Sequence, residues 1–67
     1  MPGEVRFGEV RNILERHGWQ LVRIRGSHHV FEKRGYSNIV LPVHNGKVLP
    51  IYVRKIEKIL KGDRPSV

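Results

Sequence analysis

WQLVRIRGSHHVFEKRGYSNIVLPV, residues 19–43, is the stretch whose reading decides the fold. β-Branched and aromatic side chains are interspersed with charged ones, and the turn pairs Gly26-Ser27 and Arg34-Gly35 cut the run into three. The spacing predicts strands over Trp19 to Ile24, His28 to Lys33 and Asn38 to Val43. Links this short join antiparallel neighbours, so the three make a meander. Pro42 brings no N–H to a ladder, which puts the third strand at a free edge or a bulge.

Outward from this stretch the period changes to that of a helix. In FGEVRNILERHGW, residues 7–19, Val10, Ile13 and Leu14, with Phe7 ahead of them, share one helical face. Glu9, Arg11, Glu15 and Arg16 face water, Gly18 suits a left-handed C-cap, and Arg16 and His17 suit the negative end of the dipole. A helix is expected over about residues 8–17. On the other side HNGKVLP, residues 44–50, reads as a loop. IYVRKIEKILK, residues 51–61, then repeats apolar positions at 52, 53, 56, 59 and 60, a second amphipathic helix. Glu57 and Lys61 are spaced to pair on its wet side, and residues 62–67 read as a frayed end. The expected architecture is α+β in the order α-β-β-β-α. A three-stranded antiparallel sheet carries two helices on one face and leaves the other for a partner. All 67 residues form one domain in this reading, with an ordered core over about residues 7–61.

Thirteen Lys and Arg against six Asp and Glu give a formal charge of +7, large for so small a surface, and favour a polyanionic partner, nucleic acid first. A solvated surface with no such partner is the plain alternative. A membrane surface fits less well, because both helices mix acidic with basic residues on their polar faces. No cysteine is present, which removes disulfides, thiolate catalysis and Cys-rich zinc sites. The N-terminal stretch has no apolar signal region and no run approaches a membrane helix, so a soluble, cytoplasmic protein is expected. With five aromatic residues the core must be thin, and a shallow surface site fits better than an enclosed cavity.

Histidine is the side chain whose ordinary pKa, about 6.5, suits acid–base work near neutrality without special tuning. His17 belongs to the end of the first helix. His28 and His29 are neighbours at the start of a strand and so point to opposite sides of the sheet: one packs under the helices, the other stands beside the Gly26-Ser27 turn. Geometry alone does not choose between them. Arg23 and Arg25 precede the pair and Lys33 and Arg34 follow it, a setting that draws phosphate. RNA carries its own nucleophile, the 2′-hydroxyl, so one base and one cation can suffice to cut it without a metal. A metal site is disfavoured, because adjacent histidines diverge and neither HxH nor HExxH spacing occurs. No cofactor is expected.

Taken together, Gly18-Trp19 after a helix, the triplet Gly26-Ser27-His28 eight residues on, the pair Val30-Phe31 and the run Leu41-Pro42-Val43-His44 resemble the HicA, or YcfA-like, toxin family. The likeness runs from about Phe7 to Lys61. It implies a fold similar to the double-stranded-RNA-binding domain. It also implies an mRNA interferase that cleaves through the histidine of Gly-Ser-His, and a HicB antitoxin that covers the active site. On this resemblance His28 is catalytic and His29 a more variable neighbour. Two places depart from the pattern. Trp19 stands for the usual Phe, and VLPIYV, residues 48–53, stands where the family often has Gly-Thr-Leu after a basic loop.

The expected activity is therefore a metal-independent endoribonuclease acting on mRNA through His28 and neutralised by a HicB-like antitoxin. Arg23, Arg25, Ser27, Lys33 and Arg34 are the candidate RNA contacts, with Gly26, His29 and His44 as candidate supports. Two readings of other kinds stand beside it. One is a non-catalytic RNA-binding module of the double-stranded type; the other is an interaction protein that pairs through its free sheet face or edge.

Overall fold

The computed structural model describes residues 3–62, and the element order is β1 (Val5–Arg6), α1 (Phe7–Arg16), β2 (Gln20–Arg25), β3 (His28–Glu32), β4 (Ile39–Pro42), β5 (Lys47–Val48) and α2 (Pro50–Leu60). The expected frayed tail lies, from residue 63 onward, outside the described residues. β2, β3 and β4 form the antiparallel meander, in that spatial order, so β4 and its Pro42 stand at a free edge. Trp19, Lys33, Asn38 and Val43 fall just outside the strands predicted to include them.

Helix α1 runs one residue ahead of its expected span. No side chain caps its start, but the Phe7 amide donates to the Gly46 carbonyl at 2.7 Å, and Glu9 in the first turn suits the positive end of the dipole. Its far end is closed by the chain itself. Gly18, at φ +93, donates to Glu15 at 3.1 Å and Trp19 donates to Leu14 at 3.0 Å, the paired bonds of a Schellman cap. The accompanying apolar contact is between Leu14 and Trp19, both fully buried. Gly18→Ala is expected to cost about 1–2 kcal/mol through the left-handed backbone. The new Cβ would meet only the flexible Lys33 Cε, at 3.3 Å. A lower urea midpoint with unchanged slope would register that cost.

The loop expected over residues 44–50 holds a feature absent from the sequence reading. Asn45 and Gly46, at φ 53 and φ 74, make a two-residue hairpin turn between His44 and Lys47, and the returning β5 pairs with β1 through Val5–Val48 and Arg6–Lys47. Two-residue strands carry too little alternation to be seen as a pattern. Helix α2 begins with Pro50, whose missing N–H costs nothing there. The expected Glu57–Lys61 pair does not form. Lys61 is the C-cap residue beyond the last helical turn, and among the described residues the one ion pair joins Arg11 and Glu15 at 2.9 Å.

The core joins both helices to one face of the sheet: Val10 and Leu14 of α1 and Ile56 of α2 meet Phe31, Ile39 and Leu41, closed by Trp19 and Val48. Burying side chains of this size contributes roughly 1.5–3 kcal/mol each. Tyr36 packs its ring against the Trp19 edge at 5.6 Å, and Phe7 lies 6.2 Å from Phe31. Among the described residues no helix covers the opposite face of the sheet.

Candidate functional site

Which residues occupy the uncovered face follows from the ladder, because directly opposed residues share a side. Phe31 and Leu41 are buried under the helices, so His28, Val30 and Glu32 of β3 and Val40 and Pro42 of β4 point the other way. On β2 the register shifts between Leu21 and Arg23: Leu21 opposes Phe31, yet Arg23 opposes Val30 and Arg25 opposes His28. Val22 is the extra residue of this β-bulge. Without it, strict alternation from the inward Leu21 would turn both arginines towards the helices. The bulge re-aims them onto the face that bears His28.

The uncovered face thus has three cross-strand rows. Arg25, His28 and Pro42 form the first, Arg23, Val30 and Val40 the second, and Gln20 with Glu32 the third, with Asn38 next to it just before β4. His28 is exposed, at the end nearest the Gly26-Ser27 turn. Gly26 stands there at φ +58, a conformation that other residues resist. The half-buried Ser27 anchors the turn through its carbonyl, which accepts from the Val43 amide at 2.7 Å.

His29 occupies the helix side. Its ring is 4.6 Å from that of Phe7, and its Nδ1 donates to the Ser27 carbonyl at 3.2 Å. The two histidines therefore part as alternation requires, one packed and one open. His17 is exposed and its Nδ1 donates to the Ile13 carbonyl at 2.9 Å, a helix-end role. His44 flanks the Asn45-Gly46 turn, directly after the Val43 amide that bonds Ser27. Among the described residues no three His, Asp or Glu side chains gather where they could hold a metal ion.

Lys33 and Arg34 are not beside His28, although the sequence places all of them in one short stretch. They follow the opposite end of β3, about 16 Å away at the usual rise of a strand. Lys33 Nζ sits 4.8 Å over the Tyr36 ring. Gln20, Glu32 and Asn38, which the sequence reading did not single out, line a cleft of about 450 Å³ with Gly18, Lys33 and Arg34. Of these, Glu32 had a signal in the sequence, because positions 28, 30 and 32 share a face by alternation alone; Gln20 and Asn38 join it only through the strand register.

A family model described as the HicA toxin of bacterial toxin-antitoxin systems matches residues 7–62. The chain belongs to the HicA toxin family. No curated protein and no solved structure matches it. As a HicA family toxin it has an antitoxin as its counterpart. The Gly26-Ser27-His28 triplet falls at the β2–β3 turn, inside the matched span. The departure at residues 48–53 puts Val48 in the core and leaves Leu49 and Ile51 exposed on either side of Pro50. No helix among the described residues is long and apolar enough to cross a membrane.

Proposed function

We propose that this HicA toxin is a metal-independent endoribonuclease, an mRNA interferase, with His28 as its general base and Arg23 and Arg25 as phosphate contacts. The observation that carries the reading is the exposed His28 imidazole sharing a sheet face with two arginines that a bulge has turned towards it. An RNA strand on that face brings a 2′-hydroxyl to the imidazole and a phosphate to the guanidinium groups, which neutralise charge gathering on the phosphoryl oxygens. His28 takes the 2′-hydroxyl proton. The 2′-oxygen then bonds to phosphorus as the bond from phosphorus to the 5′-oxygen breaks, and the departing oxygen is protonated by the imidazolium or by solvent. The ends left are a 2′,3′-cyclic phosphate and a 5′-hydroxyl. A HicB-type antitoxin silences the toxin by occupying the same uncovered face.

Purified protein is expected to cut mRNA into fragments with those ends, at a rate unchanged by excess chelator. Mass spectrometry of the products checks the ends. Linear 3′-phosphates formed without a cyclic intermediate, or loss of cutting on chelation, would remove the proposal. Arg23→Ala with Arg25→Ala should flatten the log–log salt dependence of single-stranded RNA binding by up to about 1.4, two phosphate contacts at roughly 0.7 each. An unaltered slope would take those residues out of the RNA path.

A further inference from the structure

We infer that the end of the uncovered face farthest from His28 is a second nucleotide subsite, with Lys33 and Arg34 for a phosphate and Gln20, Glu32 and Asn38 for an amino-bearing base. It rests on the nuclease reading for the position of the scissile phosphate.

The ladder puts Gln20 directly across from Glu32, and both lie on the same face as His28. Continuing the β3–β4 register beyond Phe31–Ile39 brings Asn38 alongside Glu32. The cleft these residues share continues over the sheet end to Gly18, Lys33 and Arg34. The His28 row and the Glu32 row are about 13 Å apart, four strand residues at roughly 3.3 Å each. At the ~3.4 Å spacing of stacked nucleotides that is about four nucleotides. One strand can therefore touch both ends.

Chemistry assigns the halves of the subsite. The Glu32 carboxylate repels phosphate and accepts hydrogen bonds only, so it does not face the backbone. Lys33 and Arg34 line the same cleft, and neither they nor Glu32 take part in an ion pair among the described residues. Lys33 is held in place by the Tyr36 ring, with donors left for an anion. The backbone then runs past the two cations and the base turns to the amides and the carboxylate. Glutamine and asparagine side chains both donate and accept, but Glu32 demands a donor. Adenine, cytosine and guanine each bring an exocyclic amine, whereas the one donor of uracil, its N3–H, is flanked by two carbonyl oxygens that a carboxylate repels. The middle row, Val30 and Val40, offers no hydrogen-bonding side chain, and the only ring-bearing side chain in the three rows besides Pro42 is His28. Discrimination on this face therefore concentrates at the far end.

The test uses fully 2′-O-methylated oligocytidylates and oligouridylates of about three to eight nucleotides, which bind but cannot be cut, titrated by fluorescence anisotropy. For the cytidylates affinity is expected to step up about tenfold as the chain grows past about four or five nucleotides. The step should be smaller for uridylates, and Glu32→Gln should narrow that difference. It should vanish in Lys33→Ala with Arg34→Ala, and shrink in the exposed Arg34→Ala alone, with circular dichroism confirming that each variant is folded. A smooth rise with length that is identical in wild type and the double variant would overturn the subsite, as would equal steps for the two bases. If either result came from a protein that still cuts RNA through His28, the nuclease reading would stand and the subsite alone would fall. Absence of both binding and cutting at every length would overturn the two together.

Discussion

His28→Ala is expected to lower the rate of RNA cleavage by at least about 100-fold, the lower end of what a positioned acid–base group contributes, and to leave the fold and most of the RNA affinity in place. The side chain is exposed on a face that carries no helix, so its loss opens no cavity in the core. Affinity is set mainly by phosphate contacts, which this change leaves in place. His29→Ala is the matched control and should behave in the opposite way. Its ring packs on Phe7 and bonds the Ser27 carbonyl. Losing it should lower the melting temperature by a few degrees, as about 1 kcal/mol does in a domain this small, and change the rate by far less. Single-turnover cleavage of a labelled RNA, run beside thermal melts, separates the two. If His28→Ala cuts at the wild-type rate, the assignment of the base is wrong. If His29→Ala is the dead variant, the chemistry lies on the helix side of the sheet.

Phe31→Ala is expected to cost about 3–5 kcal/mol, the usual range for removing a buried Phe. Phe31 is fully buried in the central strand, opposed by Leu21 on one side and Ile39 on the other, with Phe7 above it. A chain of this length holds only roughly 3–10 kcal/mol in total. The variant should therefore lose about a third or more of its urea midpoint, or not fold cooperatively at all. A loss below about 1 kcal/mol would mean that the site collapses freely and that Phe31 is not the centre of the core. The same strand thus carries the largest expected effects of both kinds, on its two opposite faces.

Much of the architecture is legible in the residues. The 3.6-residue period of Val10, Ile13 and Leu14 marks α1, and the turn pairs between residues 19 and 43 mark the meander. Gly18 is legible as the end of α1, because a helix that stops there needs a left-handed residue at that point. Alternation alone sends His28 and His29 to opposite faces. Which of them is covered depends on where the helices pack, and the local pattern of two polar neighbours does not say.

Three features waited for the tertiary structure. The β1–β5 pair is too short for a sequence pattern and exists because the Asn45-Gly46 turn returns Val48 beside Val5. Lys33 and Arg34, neighbours of His28 along the chain, are carried to the other end of the sheet because a strand spends about 3.3 Å on every residue. The bulge at Val22 matters most. One residue unmatched across the ladder reverses the side to which Arg23 and Arg25 point, and so decides whether His28 stands among cations. Local composition specifies which segments are helix or strand, since periodicity and turn chemistry act over a few residues. Register and the choice of covered face are set by the fit between segments, so only the folded molecule determines them.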